Sequence, residues 1–328
     1  MDWYNTSNMN IWDQLPKPLF ILAPMENVTD TVFRRVVASA AKPDLFFTEF
    51  MHVTGFLSAG NKIVARRLVY TAEETPLIAQ IWGTEPDDYY NTAKAITTLG
   101  FAGIDINMGC PDKNVLRHGA CSALINNHTL AKEIILATKE GAGSLPVSVK
   151  TRIGLKKIDT ENWVSHLLSL PLTALTIHGR TAAEMSRVPA HYDEIGKAVK
   201  IRNEMKSKVY IIANGDISDR TKGLELCEQY GFDGAMIGRG IFGNLWAFEE
   251  NPRTHSSKEY MEKLLMHTDL FESVWNTEKP FIILRKFYKA YIKDFDGASD
   301  LRENLMQTNS FNDVRNTIRE YIKKNDTN

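Results

Sequence analysis

The chain is poor in cysteine: it has three in 328 residues, Cys110, Cys121 and Cys227, with no Cys-x-x-Cys pair. An odd number without that spacing excludes a disulfide framework and a zinc ribbon, so no metal site and a reducing compartment are expected. Long apolar runs are also missing. None approaches the ~18 residues of a membrane span, and Met1 to Asp13 lacks the basic and apolar regions of an export signal. The expectation is a soluble cytoplasmic protein without a membrane partner. Charge of one sign is lacking as well, with 39 Lys and Arg against 40 Asp and Glu and a formal charge of −1. No whole-molecule field draws the chain to a polyanion, so any such partner must be met by a local patch.

What the chain does have is alternation. Short apolar runs at 19–23, 44–48, 77–81, 103–107, 147–150, 174–178, 209–213 and 234–238 are separated by longer segments of helical periodicity. Helix-start signals stand between them, at Asp30, Asp87 and Ser218-Asp219. Eight such units in about 250 residues match an α/β fold of the (β/α)8 TIM-barrel type, with a doubly wound sheet as the rival. The barrel is favoured because every run ends in chemically capable residues. These are Met25-Glu26-Asn27, Glu49, Gln80, Asn107 with Cys110, Lys150 with Arg152, His178 with Arg180, Asn214 with Asp216, and Arg239. A closed barrel gathers all eight ends at one mouth. The alternation stops near Pro252, which divides the chain into a barrel domain over 1–252 and a C-terminal α-helical bundle domain over 253–328.

The stretch Asp105-Ile106-Asn107-Met108-Gly109-Cys110-Pro111 delivers a cysteine from a buried strand onto a turn that Gly109 and Pro111 interrupt. A thiol near its ordinary pKa of ~8.5 is mostly protonated at neutral pH and can act as a general acid without tuning. Cys227, in a helical context, reads as a small buried hydrophobe, and Cys121 is ambiguous. Asn214-Gly215-Asp216 and Gly238-Arg239-Gly240 follow the seventh and eighth strands, the recurrent phosphate position of barrels; the alternative is a pair of tight corners. Lys150 with Arg152, and His178 with Arg180, are each spaced by two and so share a face of their strands. An inward Lys150 is suited to stabilising negative charge on a bound flavin ring, and the alternative is a solvated strand end. In the tail, Arg285, Lys289 and Lys293 are spaced by four and, with Lys286, predict a basic stripe on one helix, interleaved with Tyr288 and Tyr291.

Taken in order, these segments resemble the tRNA-dihydrouridine synthase family of bacteria, flavin enzymes that reduce uridine in folded RNA. The resemblance spans the chain. It is carried by Ala23-Pro24-Met25 with Val28-Thr29-Asp30 and Arg34, Thr48-Glu49, Gln80-Ile81-Trp82-Gly83, Asp105 through Pro111 with Lys113 and Val115, Val149 through Gly154, His178-Gly179-Arg180-Thr181, Asn214 through Ile217, and Gly238-Arg239-Gly240.

The resemblance implies an FMN-binding barrel, a helical domain that grips RNA, and NADPH as electron donor. Cys110 would protonate uracil C5 while reduced FMN delivers hydride to C6 from the opposite face. Asn107 and Arg152 would hold the uracil edge, with Arg180, Arg285, Lys286, Lys289 and Lys293 also on the RNA side. Gln80, Lys150 and His178 would contact the flavin, and Asn214, Gly215, Gly238 and Arg239 its phosphate. Ala23, Pro24, Met25 and Asp216 would complete the cofactor set. A monomer is expected. Two departures stand out: Phe287 replaces a histidine of the family, and the loop from Arg117 to Ser122 carries less glycine. The same chemistry on ribosomal RNA is an alternative. A small-molecule FMN reductase would need no helical tail, and a non-catalytic RNA chaperone would not need Cys110, Lys150 and His178.

Overall fold

Nine parallel strands form one sheet in the computed structural model, which describes residues 10–59 and 61–325. Met1 to Met9, part of the segment read for an export signal, lie outside these residues. The strands are β1 (Leu19–Leu22), β2 (Phe46–Phe47), β3 (Met51–His52), β4 (Leu77–Trp82), β5 (Gly103–Met108), β6 (Val147–Arg152), β7 (Ala174–His178), β8 (Tyr210–Asn214) and β9 (Gly234–Ile237). Their hydrogen-bonded order is β1-β9-β8-β7-β6-β5-β4-β2, with β3 also on β4. A parallel bridge between Ile21 and Leu45 brings the two ends of this series together. The result is a nearly closed barrel with helices, as the alternation predicts.

One detail differs from the eight runs read in the sequence. The second strand is split into β2 and β3, which pair with successive parts of β4 and so share one position in the barrel. The break comes at Thr48, whose Oγ1 accepts from the Gln80 N–H at 3.0 Å where a backbone carbonyl would otherwise serve.

The strands are apolar on both faces because helices cover them outside and their own side chains fill them inside. Near the strand starts Ile11 and Trp12, on the short helix Ile11–Gln14, pack with Leu19, Ile21, Ile78, Ala174 and Ile212. This closes the end away from the chemistry. Helix starts follow the expected capping logic: Asp219 accepts from the Lys222 N–H at 2.9 Å ahead of Arg220–Tyr230. Gly231 ends that helix at φ +73°, a conformation that favours glycine. Asp87 is not a cap; it lies in the first turn of Pro86–Ile96, where a negative charge suits the helix dipole.

The chain divides into two compact units, the part up to Thr31 with Pro43–Gly238, and Val32–Lys42 with Arg239–Asn328. The second unit therefore starts before residue 253 and recruits a helix from the N-terminal part of the chain. Periodicity along the sequence cannot show this, because the segment is remote in sequence. Phe33 of that segment packs on Phe287 at 5.1 Å between ring centroids, and His267 packs on Phe287 at 4.7 Å. Phe287, where the family has a histidine, is thus a core residue of this unit. His267 Nδ1 and the Tyr291 hydroxyl are hydrogen-bonded at 2.8 Å. The long helix Ser257–Trp275 opens with a capping box, in which Ser256 and Glu259 satisfy each other's backbone N–H groups. No helix among the described residues is long and apolar enough to cross a membrane.

Candidate active site

Parallel register aligns the polar residues at the strand ends. Gln80 lies opposite Asp105, Asn107 opposite Lys150, Arg152 opposite His178, and His178 opposite Asn214. Because alternate side chains share a face, the pairs Asp105 and Asn107, and Lys150 and Arg152, project from one side of adjacent strands. The structure therefore brings together the central residues singled out in the sequence.

Cys110 sits two residues past β5, partly exposed, on a turn held from both sides. Asn107 Oδ1 accepts from the N–H groups of Gly109 and Cys110, both at 3.0 Å. On the other side the Ser122 hydroxyl donates to the Cys110 carbonyl at 2.8 Å. The adjacent Cys121 is fully buried at φ +52°, left-handed backbone unusual for a residue with a side chain. Its thiol hydrogen-bonds Cys110 and lowers the Cys110 pKa to about 7, against the upward push of burial and with help from the Asp112 N–H. The unperturbed thiol expected from the sequence is thereby corrected. Cys121 keeps its own proton, because burial first and its bond to Cys110 second raise it well above the usual range.

Lys150 donates to Asn214 Oδ1 at 3.0 Å, and Asn214 in turn donates to the Met236 carbonyl at 2.8 Å. Burial, then the charge of Arg152, lower the Lys150 pKa to about 8, while Asp105 acts in the opposite direction. The ammonium therefore persists at neutral pH. A guanidinium only donates, so Arg180 Nη1, 3.3 Å from His178 Nε2, makes that nitrogen the acceptor and places the ring proton on Nδ1.

Two arginines read as RNA contacts are built into the scaffold. Arg152 donates to the carbonyls of Gly109 (2.7 Å), Thr181 (3.1 Å) and Met185 (3.3 Å), bracing the cysteine turn against the loop after β7. Arg180 is 2% exposed and is salt-bridged to Asp216. Asp216 Oδ2 also accepts from the Ala190 N–H at 3.0 Å, which ties together the loops after β7 and β8. Gly215, at φ +114°, lies where a Cβ would come within 2.8 Å of the His178 ring. The ends of β1 and β9 also meet: a Cβ on Gly238 would lie 3.6 Å from Ala23 Cβ and 4.0 Å from Met25 Sδ. Pro24 stands between those two residues in the chain, and Arg239 opens the second compact unit.

Sequence reasoning missed three contributors. Asp105 reads in the sequence only as part of a motif, although a carboxylate two residues before Asn107 on an apolar strand is the available signal. It bonds Gln80 and Ser148, and burial raises its pKa to about 6. Ser148 and the tuning thiol of Cys121 had no sequence signal, because each acts through a neighbour that only folding supplies.

The basic stripe does not form as expected. Arg285 and Lys286 lie on a 3-10 segment, Phe281–Phe287, Lys289 on one short helical stretch, Tyr288–Tyr291, and Lys293 beyond its end, so the four-residue spacing does not stack them. Arg285 donates to the Thr308 carbonyl at 2.7 Å. Lys293 bonds the Gly243 carbonyl and lies over the Tyr260 ring at 5.4 Å. Lys286 and Lys289 are exposed.

The sequence profile described as dihydrouridine synthase (Dus) matches residues 21–327. The chain belongs to the dihydrouridine synthase family. It is 46% identical over 318 residues to the probable tRNA-dihydrouridine synthase 2 of Bacillus subtilis (strain 168), covering 96% of this chain and 97% of that protein. It is 47% identical over 315 residues to the probable tRNA-dihydrouridine synthase of Staphylococcus aureus (strain COL), covering 95% of each. Among solved structures, morphinone reductase superposes with a TM-score of 0.50 at 12% identity, over 74% of this chain and 89% of that one, a likeness of fold. For a dihydrouridine synthase, the departure from family glycine content around Cys121 falls on the residue in left-handed backbone beside Cys110.

Proposed function

We propose that this member of the family reduces the C5=C6 bond of uridine in tRNA to 5,6-dihydrouridine, using FMN and electrons from NADPH, as a cytoplasmic monomer. The observation that carries the reading is the mouth of the barrel, where a thiol with its pKa lowered to about 7 shares one end with a partly buried ammonium and an imidazole.

The residues present fit a flavin. Lys150 and the Nδ1–H of His178 are donors suited to an electron-rich ring edge, and Asn214, Gly215 and Gly238, with Arg239 next in the chain, suit a phosphate. Gly215 lets its backbone lie directly against the His178 ring, where a Cβ would come within 2.8 Å. Gln80 and Asp216 act behind these groups, and Ala23 to Met25 border Gly238. When bound, reduced FMN supplies the hydride for C6.

Cys110 gives its thiol proton to C5 from the opposite face, so one hydride and one proton together saturate the double bond. The thiolate left behind is stabilised by the Cys121 hydrogen bond. A pKa near the working pH is the best compromise for such an acid, since it is substantially protonated yet a willing donor. Lys150, cationic below about 8, offsets negative charge on the ring beside it. Asn107 offers an N–H to a uracil carbonyl, and Arg152 holds the turn that presents Cys110. The target base must leave its stack to enter this mouth, at a cost of a few kcal/mol. Lys286 and Lys289, exposed on the unit of 32–42 and 239–328, supply cations for RNA phosphates.

The test uses transcribed tRNA and ribosomal RNA with purified protein and NADPH, scoring dihydrouridine by mass spectrometry. Dihydrouridine is expected in tRNA. Cys110→Ala is expected to keep NADPH-driven bleaching of the flavin and to lose about 10²–10⁴-fold in base reduction. Protein that cannot be loaded with FMN, or unchanged base reduction by Cys110→Ala, would overturn the reading.

A further inference from the structure

A single-file chain of buried hydrogen bonds runs from β6 to the cysteine turn. Ser148 Oγ–H donates to Asp105 Oδ1 at 2.6 Å, and Gln80 Nε2–H donates to Asp105 Oδ2 at 2.7 Å. Asn107 Nδ2–H donates to Gln80 Oε1 at 3.2 Å. Asn107 Oδ1 accepts from the N–H groups of Gly109 and Cys110 at 3.0 Å each. Asp105 and Gln80 are completely buried, Ser148 is 1% exposed and Asn107 6%, so water cannot substitute for a missing partner.

Every amide in this chain could in principle be turned over. An ionised carboxylate cannot reverse, because it only accepts. Asp105 therefore fixes the Gln80 amide with its nitrogen inward and its oxygen toward Asn107. That oxygen fixes Asn107 with its nitrogen toward Gln80 and its oxygen toward the turn. The acceptor-only carboxylate of Asp105 at one end and the donor-only N–H groups of Gly109 and Cys110 at the other thus require the same direction for every bond between them. With both acceptor sites of Asn107 Oδ1 occupied, Asn107 can offer substrate an N–H but not an acceptor.

We propose that Asp105 is a positioning residue: its carboxylate is the charged anchor of the Asp105–Gln80–Asn107 chain, holds Asn107 on the cysteine turn and thereby places the Cys110 thiol for proton transfer. The catalytic part of this inference rests on the function proposed above; the placement of the thiol does not.

The experiment compares Asp105→Asn, the double variant Asp105→Asn with Gln80→Glu, and Ser148→Ala, using two readouts. One is iodoacetamide alkylation of Cys110 against pH, followed on its peptide by mass spectrometry, which needs neither flavin nor RNA. The other is kcat and KM for tRNA reduction by the FMN-loaded enzyme. In Asp105→Asn the amide oxygen still accepts from Gln80 and the amide nitrogen turns to the Ser148 hydroxyl, so the direction is kept but the charge-assisted bond that anchors Gln80 and, through it, Asn107 becomes a weaker neutral one. Expected are a shifted alkylation profile and a loss in kcat of about 10–100-fold with KM for tRNA little changed.

The double variant moves the charged acceptor to position 80, where it accepts from both residue 105 and Asn107, and a charge-assisted hold on Asn107 returns. Most of the wild-type alkylation profile is expected to return with it. Ser148→Ala leaves the charged anchor intact and is expected to shift the profile least. A wild-type alkylation profile in Asp105→Asn, or a double variant no better than the single one, overturns the proposal even if Asp105→Asn folds poorly. Wild-type protein that makes no dihydrouridine, yet shows the expected alkylation pattern, would instead sink the functional reading alone.

Discussion

Cys110 was legible in the sequence as a thiol delivered to a strand end, yet its acidity was not. The lowering to about 7 comes first from Cys121, eleven residues later and adjacent only once the loop has folded back onto the turn. With Cys110 as the acid proposed above, base reduction uses the protonated thiol, and its rate is expected to fall as pH rises through about 7, and again through about 8 as Lys150 loses its charge. Cys121→Ala removes the hydrogen bond that favours the Cys110 thiolate. The first fall in the pH–rate profile, and the midpoint of Cys110 alkylation, should then move upward. A midpoint still at about 7 would transfer the effect to another neighbour. Arg152 and Arg180 make the same point from the opposite side. The family resemblance placed both on the RNA side, and the fold adds partners that a linear reading does not show, the carbonyls of the 181–185 loop for Arg152 and the Asp216 carboxylate for Arg180.

At the scale of elements, short apolar runs alternating with segments of helical period located the eight strand positions, because each βα unit buries its own apolar stripe locally. It did not reveal where elements touch. The helices Pro86–Ile96 and His128–Ala142 approach so closely at Gly141 that a Cβ there would stand 2.2 Å from the Tyr90 carbonyl oxygen. Alanine in a helix interior gains about 1 kcal/mol over glycine, but overpacking against backbone costs about 1–3 kcal/mol and occasionally more. The clash involves a rigid carbonyl rather than a flexible side chain, so the second effect wins. Gly141→Ala is expected to lower the thermal midpoint by several degrees, measured by scanning fluorimetry, with Cys110 alkylation unchanged. An unchanged or higher midpoint would show that the two helices separate easily. The 3-10 segment over Phe281–Phe287 is the converse case: spacing by four implied one helix, and packing of Leu284 and Phe287 into the core of the second unit imposed a tighter winding.

For the whole molecule, near-cancellation of charge means that affinity for tRNA cannot come from a general field and must rest on few phosphate contacts. Lys286 and Lys289 are the exposed members of the tail's basic set. Reversing both to Glu is expected to weaken tRNA binding in filter or fluorescence titrations. It should also reduce the slope of log K against log salt by about 1 for each phosphate no longer neutralised, with flavin content unchanged. Equal affinity and slope in that variant would place the RNA surface elsewhere. By itself the sequence determined the barrel, its polar mouth and the family, because strand-end residues and βα periodicity are local properties of the chain. Tertiary structure alone decided the membership of 32–42 in the helical unit, the acidity of Cys110, the capture of Arg152 and Arg180, and the direction of the Asp105–Gln80–Asn107 chain. Each depends on groups distant in sequence meeting in a buried, low-dielectric setting, where one donor or acceptor decides the state of its neighbour.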